Sequence, residues 1–364
     1  MTASATRSVI VGVDTHKHVH VAVPITEHGE RLGQLLIAAD RGGYEQLLAW
    51  ARDLGRVRCF GIEGTGSYGQ GLTSYLRRQD QSVVEAGRPD RRDRRLNGKS
   101  DTLDAENAAR AVLAGKATAT PRRAEGTSEV LRQTKVAKDT AVKARTQAII
   151  TLKTLIVTAP DELRAELDAL SKAALRDRCA ALRPGPVTTP LAAAKHAVRS
   201  LARRWIALEA EIKDHEQIID QFTTAAAPRM RAAFGIGPDI AAEMLIIAGD
   251  RPAERLRSEA AFAKLCGAAP IPASSGMTQR YRLNPGGHRQ ANSALYRAVI
   301  VRMRFHPATI AYLTRRTAEG KSKREIIRCL KRYLSREIYH YLTSPDAPAD
   351  APPRSSIQIK TSTT

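Results

Sequence analysis

The chain has 364 residues, with 58 Lys or Arg against 37 Asp or Glu, so its formal net charge is +21 and its sequence pI is near 10.3. This length predicts more than one domain, because single cores rarely grow beyond roughly 250 residues. Solubility alone does not require so much positive charge, which indicates a polyanionic partner. The four cysteines form no Cys-x-x-Cys pair, which argues against a zinc site or a disulfide framework. Residues 1–8 contain no apolar core of signal-peptide length, and the chain has no run of about 18 apolar residues that could span a membrane, so we predict a cytoplasmic protein without membrane contact.

The first third of the chain has the pattern of a mixed α/β domain. Strand-like runs cover residues 8–14, 18–23, 35–39, 58–63 and 82–85, and helical patterns cover residues 44–54, 66–78 and 102–113. The predicted order is βββαβαβα. It is typical of a ribonuclease-H-like fold, in which an antiparallel start is followed by parallel strands joined by helices.

The rest of the chain is predicted to be mainly helical. Amphipathic patterns over 128–156 and 191–222 are separated by a Pro- and Gly-rich break at 183–190, which indicates a helical hairpin or coiled coil, with an ordinary bundle as an equal alternative. A Gly-Ile-Gly segment at 235–237 is weakly similar to the turn of a helix-hairpin-helix DNA-binding element. The predicted domains are residues 1–125, 126–226 and 227–343, with a disordered tail over 344–364.

Four acids are predicted to form one metal-binding cluster. Asp14 and Glu63 each follow a buried strand, so both lie where the chain leaves the same edge of the sheet. Asp101 and Asp104 are three residues apart at the start of a helix, which places them on one face. So many converging carboxylates repel one another unless cations neutralise them, which implies two Mg²⁺ ions, with Mn²⁺ able to substitute. Such a site performs phosphodiester chemistry.

Each acid also has a purely structural explanation. Asp14 can close a hairpin, Glu63 can be a surface residue after a strand, and Asp101 can cap a helix that carries Asp104 in its first turn. These explanations are favoured for any one acid taken alone. All four acids at the expected element ends favour catalysis.

A basic segment precedes the second pair of acids. Its cations are Arg91, Arg92, Arg94, Arg95 and Lys99. A solvated charge run is the usual explanation, but the position next to the predicted metal site favours contacts with a nucleic-acid backbone.

Four segments of the sequence resemble a known family. They are Gly12–Lys17, Glu63–Tyr68, Lys99–Ala105 and Gly267–Gly276. They are similar to the DEDD insertion-sequence transposases of the one-hundred-ten family, relatives of the Piv DNA invertase that are described as bridge-RNA-guided recombinases. The resemblance implies a RuvC-like N-terminal domain, a helical coiled-coil middle, and a mainly helical C-terminal transposase domain in a bacterial, nucleoid-associated protein.

The resemblance also implies a serine that becomes covalently joined to DNA. The family pattern places this nucleophile directly before a glycine, which selects Ser275 over Ser274. Without the family, a simple Ser-Ser-Gly turn is the better explanation. Nearby cations are expected to hold DNA phosphates, namely Arg280, Arg282, His288 and Arg289.

The implied function is a site-specific recombinase that moves an insertion sequence through a phosphoserine intermediate. Its implied partners are double-stranded DNA at the element ends and target, and a guide RNA that Tyr68, Lys135, Lys143 and Arg145 are placed to contact. Strand exchange between two duplexes requires several active sites, which predicts dimers that assemble into tetramers. The alternatives are a Holliday-junction or structure-specific endonuclease that uses metal-activated water, and a non-catalytic nucleic-acid-binding protein.

Overall fold

The computed structural model of the protein describes residues 7–87, 100–123, 125–277, 281–282 and 284–344. The chain forms two compact units, one comprising residues 1–124 and 248–257 and the other residues 125–247 and 258–364. Within the described ranges, none of the helices combines the length and the apolar character needed to cross a membrane.

The first unit contains a five-stranded mixed sheet. Its strands are β1 (Ser8–Thr15), β2 (Val19–Thr26), β3 (Leu35–Ala38), β4 (Arg56–Glu63) and β5 (Val83–Ala86), in the spatial order β3-β2-β1-β4-β5. Strand β2 pairs with β1 and β3 in antiparallel fashion, whereas β4 is parallel to β1 and β5. This is the sheet that the element order predicts, and it fits a RuvC-like layout.

Helices cover both faces of this sheet. They are α1 (Arg41–Leu54), α2 (Gln70–Arg78) and α3 (Asp101–Leu113). Alternate residues of β1 point to opposite faces, so Val11 joins the core beneath α1 and α2, while Ile10 joins the core beneath α3. The central strands are therefore buried on both sides, as their apolar sequences require.

Two helix starts differ from the sequence prediction. Helix α1 begins at Arg41, earlier than predicted, because the Asp40 side chain caps it by accepting a hydrogen bond from the Gly43 amide at 2.9 Å. Helix α2 begins at Gln70 rather than at residue 66. The preceding residues form turns instead, in which the amides of Ser67 and Gly69 donate to the Gly64 carbonyl.

The second unit is mainly helical, as predicted. Its helices are α4 (Thr127–Val157), α5 (Asp161–Leu167), α6 (Lys172–Ala181), α7 (Pro190–Ala226), α8 (Pro228–Ala232), α9 (Pro238–Ala248), α11 (Glu259–Leu265), α12 (Arg289–Phe305), α13 (Pro307–Ala318) and α14 (Lys323–Thr343), while the short α10 (Pro252–Arg255) belongs to the first unit. This unit also contains a small antiparallel hairpin that was not predicted, formed by β6 (Ile271–Pro272) and β7 (Tyr281–Arg282).

The long helices α4 and α7 pack against each other in antiparallel orientation. Leu131, near the start of α4, meets Ile219, near the end of α7, and Leu152 at the other end meets Val198. Helices α5 and α6 close this end with a small core of their own. The predicted break at 183–190 is confirmed, since it lies between the end of α6 and the start of α7, whereas α5 and α6 themselves were not predicted.

A buried ionic cluster joins α4 to α9 and α12. Lys135 is 7% exposed, and its Nζ lies 2.8 Å from Oδ1 of Asp239, whose Oδ2 is 2.7 Å from Arg297 Nη1. Although burial raises it, hydrogen bonding and charge from Lys135 hold the pKa of the Asp239 carboxyl well below its usual range. Removal of one partner from such a cluster destabilises the fold, because it leaves an uncompensated buried charge.

Candidate active site

Two glycines allow α3 to lie directly on the sheet. Gly12 of β1 is opposite Gly61 of β4. A Cβ atom at Gly12 would lie 1.9 Å from the Ala105 carbonyl oxygen, and one at Gly61 would lie 3.0 Å from that of Ala108. The helix backbone therefore touches the strands where they lack side chains. This close packing fixes the position of the first turn of α3.

Two acids lie at the ends of these strands. Asp14 is two residues beyond Gly12, and Glu63 is two residues beyond Gly61, so both side chains project toward the α3 face. Asp14 is 7% exposed and Glu63 is half-buried. The Thr15 hydroxyl donates a 2.8 Å hydrogen bond to the Glu63 carbonyl and ties the two strand ends together.

The other two acids lie in the first turn of α3. Ser100 caps this helix, because its Oγ accepts a hydrogen bond from the Leu103 amide at 3.2 Å. The explanation of Asp101 as the N-cap is therefore wrong. Asp104 is 5% exposed, whereas the Asp101 side chain is half-exposed.

A histidine lies between acids from the two elements. Nε2 of His16 is 3.3 Å from Oδ2 of Asp14 and 3.3 Å from Oδ1 of Asp101. One ligand atom from each of the three residues lies within 4.8 Å of the others. His16 is not among the site residues predicted from the sequence. The available signal was an imidazole two residues after an acid at a strand end.

Burial and neighbouring charges both act on the Asp14 carboxyl. Burial raises the pKa of the Asp14 carboxyl, the nearby His16 lowers it, and the negative charges of Asp104 and Asp101 raise it further. A divalent cation would stabilise the ionised carboxylates. Carboxylate oxygens are ligands that both Mg²⁺ and Mn²⁺ prefer. Mn²⁺, as a first-row transition ion, accepts an imidazole nitrogen more readily than Mg²⁺ does. The donor set at the end of β1 thus fits a divalent cation. Glu63 and Asp104 lie beside the close trio and not within it.

Ser275 lies on the connection between β6 and β7. It is exposed, and Gly276 after it has a φ of +55°, in the region that favours glycine. At the base of the connection, a Cβ atom on Gly287 would lie 2.2 Å from Cα of Gly267. The two ends of the segment 267–287 therefore meet, and Ser275 is carried on a closed loop.

One asparagine holds the base of this loop. Nδ2 of Asn292 donates to the carbonyls of Cys266 and Gly267 at 3.0 and 2.9 Å. Its Oδ1 accepts a 2.9 Å hydrogen bond from Nζ of Lys331, which is 5% exposed. Asn292 and Lys331 therefore position Ser275 indirectly, by holding the backbone at the base of its loop.

The residues predicted to contact DNA differ in their exposure and in their local structure. Arg282 is exposed on β7 and Arg289 is exposed at the start of α12. The His288 ring caps α12 by accepting from the Ala291 amide at 3.4 Å. Six predicted contacts lie outside the described residues, namely Arg91, Arg92, Arg94, Arg95, Lys99 and Arg280.

The residues suggested for RNA contact also differ in their exposure to solvent and in their ion pairs. Lys135 is buried against Asp239, so the suggestion that it touches RNA is wrong. Tyr68 is 58% exposed and Lys143 is exposed. Nη1 of Arg145 lies 3.8 Å from a carboxylate oxygen of Glu209.

Two family models match the chain. Residues 11–159 match the DEDD transposase model of the IS110 family, and residues 227–314 match the transposase model of the IS116/IS110/IS902 family. The matched regions include the four acids and Ser275, and they define the class as a DNA strand-transfer enzyme. The chain belongs to the IS110 family of insertion-sequence transposases. No individual curated protein is significantly similar to it.

Proposed function

We propose that this transposase is a site-specific recombinase that cuts and rejoins DNA strands through a phosphoserine intermediate on Ser275. The observation that carries the proposal is the convergence of Asp14, His16 and Asp101 at the end of β1, with Asp104 close enough to shift the pKa of Asp14. The acids belong to the first unit and Ser275 to the second. The reaction uses residues of both units.

Asp14, Glu63, Asp101 and Asp104 would hold two Mg²⁺ ions, for which Mn²⁺ can substitute. Bound there, the cations supply positive charge that favours an ionised nucleophile and offsets the charge of phosphate oxygens. The protein's own contribution is positional. The Gly12 contact and the Thr15 hydrogen bond hold acids from three separate elements in place before substrate arrives.

Ser275 is exposed on a loop that is closed at its base, which suits a nucleophile that must reach a DNA backbone. Its Oγ forms a bond to phosphorus as the hydroxyl proton leaves, and the bond from that phosphorus to one deoxyribose oxygen breaks. The released strand end is a hydroxyl. A hydroxyl end of another strand then attacks the phosphoserine and releases the serine. The number of phosphodiester bonds is conserved, so strand exchange needs no ATP.

The proposal also includes guidance by a noncoding RNA and assembly of dimers into tetramers. The family resemblance implies the RNA, and strand exchange between two duplexes requires several active sites. The exposed Tyr68 and Lys143 remain candidate RNA contacts. Light scattering of the protein with and without the RNA encoded beside its gene would test both points. A protein that neither binds this RNA nor assembles would remove them from the proposal.

A suicide substrate tests the central claim. The protein, the guide RNA and a nicked DNA duplex are incubated with Mg²⁺, and covalent protein–DNA adducts are separated under denaturing conditions. The adduct is expected with the unmodified chain and absent with Ser275→Ala. Ser274→Ala is the matched control, because it changes the neighbouring hydroxyl and is expected to keep the adduct.

Two outcomes would overturn the proposal. An adduct that survives Ser275→Ala removes this serine from the mechanism. Strand cleavage without any adduct, unaffected by Ser275→Ala but lost in Asp14→Asn, would instead identify an endonuclease that uses activated water. Asp14→Asn is expected to abolish the adduct while DNA binding persists.

A further inference from the structure

A basic cavity lies beside the loop that carries Ser275. Its volume is about 750 Å³, and it is lined by the start of that loop at Gly267–Pro270, by β7, and by one side of α14. All of these elements belong to the second unit. The volume falls within the range of about 300 to 1,000 Å³ that is usual for ligand sites.

The charge of this cavity is strongly one-sided. Its cationic residues are Arg282, Arg316, Lys321, Arg328, Lys331 and Arg332. Arg316 pairs with Glu319, but none of the other five cations lies within 4.0 Å of a carboxylate oxygen within the described ranges. The charges of Lys321 and Arg328 act on Glu325 at longer range. Glu325 is the one lining acid among the described residues, and its carboxylate accepts hydrogen bonds from Ser322 in the helix cap.

One buried polar group of the cavity lining lacks a hydrogen-bond partner among the described residues. Nη1 of Arg332 is buried without a hydrogen-bond partner in the described part of the chain. Burial lowers the pKa of Lys331, and the neighbouring charge of Arg328 lowers it further. Crowded, partly buried cations of this kind are stabilised by a bound anion.

Aromatic rings accompany the cations. Tyr281 and Tyr333 both line the cavity, and their exposed fractions are 62% and 41%. Exposed rings next to cations are the combination that binds unpaired nucleotides, because bases stack on the rings while phosphates meet the cations. A double helix, whose major groove alone is about 12 Å wide, does not fit into such a cavity.

We propose that this cavity binds an unpaired nucleotide of a nucleic-acid strand, with the phosphate on Arg328 and its neighbouring cations and the base against Tyr281 or Tyr333. The cavity shares Lys331 with the base of the Ser275 loop, so a strand held here would lie next to the residues that position the proposed nucleophile. The relation to strand exchange rests on the proposed function, whereas the binding itself does not require serine chemistry.

Binding is therefore measured with the full-length Ser275→Ala protein, so that loss of the covalent step has no influence. Fluorescence anisotropy compares a blunt DNA duplex with the same duplex carrying a short single-stranded overhang, made of DNA in one arm and of RNA in another. Arg328→Gln is expected to weaken binding of an overhang probe by about tenfold or more, from lost phosphate contact. The arm with the larger loss identifies the strand.

The matched control is Arg324→Gln, one turn earlier on α14, exposed and outside the cavity lining. It is expected to weaken every probe by less than about twofold. Equal effects of the two substitutions, or an equal Arg328→Gln loss on the blunt duplex, would overturn the proposal. In the otherwise unmodified chain, a photoreactive iodouracil in the overhang is expected to crosslink to the peptide containing Tyr281 or Tyr333. Crosslinks confined to other peptides would also overturn it, even if Arg328→Gln folded poorly.

Discussion

The acidic site and the Ser275 loop are held in place by different forces. At the acidic site, the backbone of α3 rests on Gly12 and Gly61, and the surrounding sheet is buried on both faces. At the Ser275 loop, the serine is exposed and the loop is closed by side-chain hydrogen bonds from Asn292. Steric packing thus fixes the acids, whereas a small polar network fixes the base of the loop. Substitutions should affect the two sites in separable ways.

The largest effect is expected from Gly12→Ala. The new Cβ would overlap the Ala105 carbonyl, so α3 must move away from the sheet and carry Asp101 and Asp104 with it. We expect a destabilisation of about 3 kcal/mol and a loss of strand transfer of about 100-fold. Urea unfolding and the adduct assay measure these effects.

The control for that substitution is Gly42→Ala on α1, where a Cβ atom would meet Oδ1 of Asp40 at an ordinary 3.6 Å. It is expected to be neutral or to stabilise by up to about 1 kcal/mol, because alanine favours helices. Full stability and activity in Gly12→Ala would contradict the close-packing argument.

Next in size is Asn292→Ala. It leaves the Lys331 ammonium and two carbonyls without their partner, which should cost about 2 kcal/mol of unfolding free energy. Adduct formation should fall while divalent-cation affinity is unchanged, because the acids lie in the other unit. Calorimetry of cation binding and the adduct assay separate the two effects.

The control for that substitution is Ser293→Ala, an exposed neighbour, which should leave adduct formation and cation affinity unchanged. A parallel loss of cation affinity in Asn292→Ala would show that the two sites are not separable.

A change of similar size in the free energy of unfolding, but dependent on pH, is expected from Glu243, which lies in the ionic cluster around Lys135. Burial raises the pKa of this carboxyl to about 6, Lys135 lowers it, and Asp239 raises it. A raised pKa in the folded state contributes stability that is present at low pH and is lost as pH rises through 6. Between pH 4.5 and 6.5 the chain should therefore lose about 2 kcal/mol that Glu243→Gln does not lose. Urea unfolding across this range measures the difference, and Glu45→Gln on α1 should retain the loss. Parallel pH profiles for Glu243→Gln and the unmodified chain would count against the assignment.

The smallest effect is expected from His16→Asn. If His16 supplies a nitrogen ligand, its removal should weaken Mn²⁺ binding by about fivefold, or about 1 kcal/mol, and Mg²⁺ binding less, because Mg²⁺ prefers oxygen ligands. Titration calorimetry with each ion tests this. His18→Asn, an exposed neighbour outside the trio, should change neither affinity. Equal losses for the two ions would contradict the assignment of His16 as a nitrogen ligand.

Much of the first unit could be predicted from local sequence. The alternation of β1 and the apolar run of β4 predicted a mixed sheet with Asp14 and Glu63 at the strand ends, because period and burial are local properties. The role of Gly12 could not be predicted, since its crowding comes from Ala105, far along the chain. His16 was missed for the same reason, as its second contact is with Asp101.

Less of the second unit could be predicted. The pattern of α4 gave a long amphipathic helix and suggested an exposed Lys135, but the counter-ion Asp239 lies more than one hundred residues later. The basic cavity likewise joins residues of the Ser275 loop to α14. Charge patterning along the chain does not reveal which cations share a surface.

The sequence by itself determined the family, the order of elements in the first unit and the positions of the four acids at the ends of their elements, because these depend on short motifs and on periodicities within single elements. Only the tertiary structure decided that His16 joins Asp14 and Asp101, that Asn292 and Lys331 hold the base of the Ser275 loop, and that a cationic cavity lies beside it. Each of these features needs contacts between elements distant in sequence. Such contacts are fixed by backbone approach at particular glycines and by buried polar partners, which local patterns do not encode.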